Sequence, residues 1–201
     1  MKLIGLAGKA GSGKDYAHKL LKTYYEDKGL TTTRLSFASR LKDISTLLFG
    51  WDRNLLDNDI NYKESMLSDG FMDPACEMLG MTRRQFMQKL GSEGMRDGVH
   101  KNFWIICLQL DINAGMYDNF DVGFITDCRF DNEFDFIHDN GGDLIKIIRT
   151  DVATLTEDSN HQSELGVDNY HNWTKVVYNT IDKKISTEQN NEIFLTKLLE
   201  V

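Results

Sequence analysis

Leu3-Ile4-Gly5-Leu6-Ala7-Gly8-Lys9-Ala10-Gly11-Ser12-Gly13-Lys14-Asp15 is the stretch on which the reading of the fold turns. Leu3 to Ala7 is a short apolar run, and Ala17, Leu20, Leu21 and Tyr24 recur at helical spacing between Lys14 and Asp27. Between them, Gly8 to Lys14 satisfies G-x-x-x-x-G-K, so the order is strand, glycine-rich turn, helix. Glycines let the main chain come close to an anion, and the helix start aims unpaired amides and the positive dipole end at it. Gly8, Lys9, Gly11, Ser12, Gly13, Lys14, Asp15 and Tyr16 are therefore expected to hold the phosphates of a nucleotide. Asp15 stands where the motif has the Ser or Thr that binds magnesium; its carboxylate is either a metal ligand or a first-turn residue that stabilises the helix dipole.

Outward from this stretch, strands and helices alternate. Thr32 to Phe37 reads as a strand, and Leu41, Ile44, Leu47 and Leu48 mark a helix that Gly50 can stop. From Trp51 to Gly80 no period dominates, and the segment is expected to be irregular or short-helical. Thr82 and Gln85 form a capping box for a helix through Leu90, and Asn102 caps another from Phe103 to about Asn113. Val122 to Thr126 is a compact strand followed by a helix to His138, and Leu144 to Ile148 is the next strand. The stretch Thr150 to Asn172 is polar and turn-rich, Val176 to Tyr178 is a last short strand, and Ile193 to Leu199 lies in a closing helix. This alternation predicts an α/β fold: a doubly wound, mostly parallel sheet of about five strands. Residues 1–201 then form one domain, with an insertion at 51–80 and a lid at 150–172. Ligands in such sheets sit at the carboxyl ends of strands, here after Ala7, after Phe37 and at Asp127.

The bulk properties exclude other classes. An apolar fraction of 41% and a charged fraction of 27% fit a globular chain, and a net charge of −8 opposes a general nucleic-acid binder. Cys76, Cys107 and Cys128 lack metal spacing and read as reduced core thiols. The start has too short an apolar run for a signal peptide and no stretch reaches membrane-spanning length, so the cytoplasm is the expected location, with no membrane partner.

At Gly13-Lys14-Asp15 the chain resembles the deoxynucleoside monophosphate kinases of tailed bacteriophages, in which aspartate follows the loop lysine. The likeness continues through Ala38-Ser39-Arg40-Leu41-Lys42-Asp43, Thr82-Arg83-Arg84, Met87-Gln88-Lys89-Leu90-Gly91-Ser92-Glu93, Arg96 and Trp104. It extends to Ile125-Thr126-Asp127-Cys128-Arg129-Phe130-Asp131-Asn132-Glu133, to Arg149, and to His161-Gln162-Ser163-Glu164, where these kinases carry a mobile lid.

The resemblance implies ATP and magnesium as donor, a deoxynucleoside monophosphate as acceptor, and room for a homodimer. It places Lys42, Arg84, Gln88, Arg96, Trp104, Asp127, Arg129 and Glu133 at the acceptor, and makes Lys14, Asp127 and Arg129 the catalytic set. Independently, two repelling phosphates require converging cations, which Lys14, Lys42, Arg84, Arg96, Arg129 and Arg149 can supply. Asp127 and Arg129 are expected to share one side of an extended strand end. Asp127 can instead cap the next helix, and His161 is either a phosphate or base contact or a solvated side chain. Two rivals stand beside this reading: a kinase for another small acceptor such as phosphomevalonate, and a non-catalytic nucleotide-dependent switch.

Overall fold

A computed structural model describes residues 1–68, 70–149, 162–180 and 184–200, with backbone alone for 162–165. In chain order the elements are β1 (Lys2–Ala7), α1 (Lys14–Asp27), β2 (Thr32–Leu35), α2 (Ser39–Phe49), α3 (Arg53–Asn58) and α4 (Ile60–Glu64). The hairpin β3 (Leu67–Ser68) and β4 (Phe71–Met72) follows, then α5 (Pro74–Leu79), α6 (Arg83–Gln88), a π-helix (Lys89–Asp97) and α7 (Phe103–Asn113). The chain continues with β5 (Val122–Ile125), α8 (Asp131–Asp139), β6 (Asp143–Arg149), α9 (Gln162–Asn169), β7 (Lys175–Asn179) and α10 (Thr187–Leu199). Contacts divide it into two compact units, one of residues 1–36 and 108–201 and one of residues 37–107.

The first unit holds a five-stranded sheet in the order β2-β5-β1-β6-β7, with every paired neighbour parallel. Period-two alternation along β1 accounts for its two covered faces. Ile4 and Leu6 join Ala17 and Leu21 of α1, and Phe194 and Leu198 of α10, in one buried cluster. Gly5 points the other way, where a Cβ would meet Ile137 of α8 at 2.3 Å. The sheet is thus doubly wound, as the strand–helix alternation leads one to expect.

The second unit packs Leu41, Trp51, Leu56, Cys76 and Met87 into its own core. The stretch 51–80 resolves into α3, α4, the hairpin and α5, each opened by an aspartate where it is helical: Asp52, Asp59 and Asp73 accept the N-terminal amides. The helix expected to end at Leu90 instead widens into the π-helix and runs to Asp97. Gly91 and Gly94 lie in this stretch, and the Gly91 carbonyl accepts the Trp104 indole N–H at 2.9 Å. A Cβ at Gly91 would come 2.8 Å from the tip of the Leu41 side chain, so any larger residue there has to displace that methyl. π-helical turns are uncommon and are found frequently at functional sites.

Strand limits differ by a residue or two from the sequence reading, with one consequence. β5 stops at Ile125, so Asp127 and Arg129 lie beyond it, on the connection to α8, and strand alternation does not set their direction. Of the lid segment, residues 150–161 are outside the described residues, and α9 occupies most of the remainder.

Candidate active site

The glycine-rich turn closes as a compact loop between β1 and α1. Ser12 N–H donates to Lys9 O at 3.1 Å, and Gly13, at φ 101°, stands at the helix entrance in a conformation that glycine tolerates. A Cβ on Gly8 would lie 2.5 Å from both Ile147 O and Ser12 Oγ, so the loop doubles back where no side chain fits. Lys14 folds over it, donating from Nζ to Gly8 O at 2.6 Å and to Lys9 O at 2.9 Å. Ser12 is buried, and its hydroxyl finds no hydrogen-bond partner among the described residues. A tight glycine turn at a helix start, a buried hydroxyl with no partner among the described residues and a lysine tip laid across the carbonyls form a cradle suited to phosphate oxygens.

Flanking residues hold the cradle. Lys9 Nζ meets Asp168 of α9 at 2.7 Å, and Tyr16 stacks on Phe194 at 6.1 Å between ring centres. Asp15, largely exposed, pairs with Arg34 of β2 at 2.8 Å, and the same Arg34 nitrogen donates to the buried Thr126 hydroxyl just past β5. Asp127, just past β5, accepts from Ser36 Oγ at 2.6 Å, so Asp15 at the start of α1 and Asp127 are each held by a residue on or just after β2. Magnesium keeps several waters and takes only one or two protein carboxylates beside phosphate oxygens, which the exposed Asp15 at the helix start can provide. Arg129 is exposed on the connection to α8, while Glu133 is buried and accepts the Arg129 and Phe130 amides at 2.7 and 3.1 Å. Glu133 thus serves as the N-terminal cap of α8.

Of the remaining cations expected from sequence, Arg149 ends β6 in the first unit and the others lie in the second. Lys42 binds Asp57 at 2.7 Å, Arg84 pairs with Glu64, and Arg96 donates to Lys101 O at 3.0 Å. Gln88 is half-buried at the end of α6, and Trp104 is held on Gly91. Arg53, which sequence reasoning missed, bridges Asp43 and Asp57 and donates to Ser39, and desolvation is more than offset by these carboxylates in raising its pKa. Arg34, Ser36, Thr126 and Asn179 were missed as well. Arg34 and Ser36 fall on or just after a strand next to the loop, the one signal that points to them. The thiols of Cys76 and Cys128 are pushed up by burial, Cys128 far up, which leaves them inert.

The family model described as deoxynucleotide monophosphate kinase matches residues 76–187, more than half of the chain. The chain belongs to the deoxynucleotide monophosphate kinase family. Membership makes it a phosphotransferase acting on deoxynucleoside monophosphates. A protein of Acanthamoeba polyphaga mimivirus named putative deoxynucleotide monophosphate kinase is 33% identical over 89% of each chain. The deoxynucleoside-5'-monophosphate kinase of Escherichia phage T5 is 26% identical, over 82% of this chain and 84% of its own. Among solved structures, TT1252 from Thermus thermophilus superposes with a TM-score of 0.47 at 13% identity, covering 98% of this chain and 96% of that one. The family match begins at Cys76, so the reading of the phosphate loop rests on its own motif and geometry.

Proposed function

We propose that this kinase uses ATP with magnesium and holds the donor's phosphates over residues 8–15. The observation that supports it most is the cradle itself: a loop closed on glycines, with the Lys14 ammonium laid across it and the Ser12 hydroxyl buried with no partner among the described residues. Magnesium, when bound, would shield charge on the donor phosphates, and Asp15 would hold it. Arg34 keeps that carboxylate in place and balances the negative charge that a Ser or Thr at this position would not bring.

In the reaction an oxygen of the acceptor's phosphate attacks the γ-phosphorus, and the bond to the bridging oxygen breaks with its electron pair leaving on ADP. The acceptor oxygen is already largely ionised near neutral pH, so no strong base is required. Lys14 neutralises charge on the donor, Arg129 stabilises charge on the transferred group, and Asp127 orients the acceptor or the metal. Lys42, Arg84, Gln88, Arg96 and Trp104 are assigned to the acceptor. Lys42 and Arg84 are engaged by Asp57 and Glu64, so a phosphate that binds them exchanges with carboxylates. Glu133 supports Arg129 through its backbone amide.

The partners are small nucleotides rather than nucleic acid, the expected compartment is the cytoplasm, and homodimer assembly is carried over from the resemblance. Among the described residues no helix is long and apolar enough to cross a membrane. Family membership sets aside the phosphomevalonate and switch readings. The test is a coupled ADP-release assay over the common deoxynucleoside monophosphates. Lys14→Met should abolish turnover with the fold intact. Arg129→Ala should lower kcat at least about tenfold, about 1.4 kcal/mol of barrier, with a smaller change in KM. A Lys14→Met enzyme that turns over at the parent rate removes the loop from the mechanism.

A further inference from the structure

β7 reaches the phosphate loop through one side chain. Asn179, the last residue of that edge strand, is 6% exposed, and its Nδ2 donates to Ser12 O at 3.0 Å. A Cβ on Gly13 would stand 2.4 Å from the same nitrogen, so the bare glycine is what lets the side-chain amide come in. Ser12 and Asn179 are 167 positions apart, and nothing in the G-x-x-x-x-G-K pattern foretells their contact.

No peptide bond among the described residues is cis, so the carbonyl of Ser12 and the N–H of Gly13 point in opposite directions across one rigid plane. Holding the Ser12 carbonyl on Asn179 therefore turns the Gly13 N–H away from β7. The Gly13 carbonyl is separately committed to α1, where it accepts the Ala17 N–H at 2.8 Å. Both peptide planes that meet at Gly13 are thus fixed, the second by the helix and the first by Asn179. The amide so fixed belongs to the group of helix-start donors that have no partner within the helix and are available to an anion.

We infer that Asn179 is a positioning residue of the donor site: it orients the Gly13 amide toward the donor's phosphates while touching no substrate itself. The inference rests on the proposed binding of ATP at residues 8–15. Without Asn179 the Ser12–Gly13 peptide is free to rotate, and one phosphate donor loses its preset direction. Glycine at 13 and asparagine at 179 then form a matched pair, since any side chain on the former would expel the latter.

The experiment compares MgATP affinity by titration calorimetry, and KM for each nucleotide, in the parent, Asn179→Ala, Asn179→Asp and Lys14→Met. Asn179→Ala should weaken MgATP about tenfold, with the acceptor KM within about twofold of the parent. Asn179→Asp keeps the volume but sets a carboxylate oxygen against the Ser12 carbonyl, and should lose at least as much; either folded variant suffices. MgATP affinity within about twofold of the parent overturns the inference, as do equal losses for both nucleotides or unfolding of both variants, which make Asn179 a core residue. If Lys14→Met also binds MgATP like the parent, the ATP reading itself has failed; if it alone loses affinity, only the role of Asn179 has.

Discussion

His18 lies one turn beyond Lys14 on α1, half-buried and edge-on to Phe124 at 5.0 Å. Burial first, and the nearby Arg34 charge second, lower its pKa from 6.5 to about 4. The unfolded chain takes up this proton near pH 6.5, whereas the folded chain does not until about pH 4. The folded state thus binds fewer protons in that window, and its stability falls as the pH drops through it, with no contribution above it. Urea unfolding at pH 7 and pH 5 should show a smaller loss for His18→Gln than for the parent; equal losses would mean that His18 is solvated in the folded protein. The sequence places a histidine on the polar side of an amphipathic helix and gives no hint of this. The burial comes from Phe124 and the charge from Arg34, residues of two strands that only the sheet brings alongside α1. Lys14 and the glycines were legible because a phosphate loop is a local structure, whereas Arg34, Ser36, Thr126 and Asn179 reach it from other strands.

At the scale of elements, residues 51–80 defeat a periodicity reading because their short helices and hairpin form no layer. They gather around one guanidinium. Arg83, fully buried, donates to the carbonyls of Tyr62, Ser65 and Leu67 at 3.0 to 3.2 Å and to Asp73 at 2.8 Å, and lies 3.9 Å over the Tyr62 ring. It thereby satisfies the carbonyls at the end of α4 and the start of the hairpin, and ties down the aspartate that caps α5. Two adjacent arginines, Arg83 and Arg84, look alike in sequence. Thr82 at the cap sets the phase that sends the first inward, while the second pairs with Glu64 nearer the surface. Arg83→Met leaves three carbonyls and a carboxylate without their donor and should cost about 3 kcal/mol in urea unfolding, the range for breaking a buried pair. Adding Asp73→Asn should recover part of that loss. A change below about 1 kcal/mol for the single variant would remove Arg83 from the centre of this unit.

At the scale of the molecule, a donor that binds only the folded state adds stability by mass action. At a hundredfold excess over its Kd, MgATP should raise the unfolding free energy by about 2.7 kcal/mol. Thermal melts with and without MgATP measure this, and Lys14→Met should erase the gain; an equal gain in the variant would place the nucleotide elsewhere. The parallel five-stranded sheet was legible because each strand–helix repeat announces a crossover, and the order of strands was not, since it depends on pairings far apart in the chain. That order has a consequence for synthesis. β1, which carries the loop, pairs only with β5 and β6, whose partner residues begin about 120 and 140 positions later. Ribosomes add about 5–20 residues per second, so this apolar strand waits roughly ten seconds with both edges bare. Residues 37–107 meanwhile can close on their own core. β1 is therefore made well before it can be folded, and Leu3 to Ala7 is a stretch that a nascent-chain chaperone has that interval to bind.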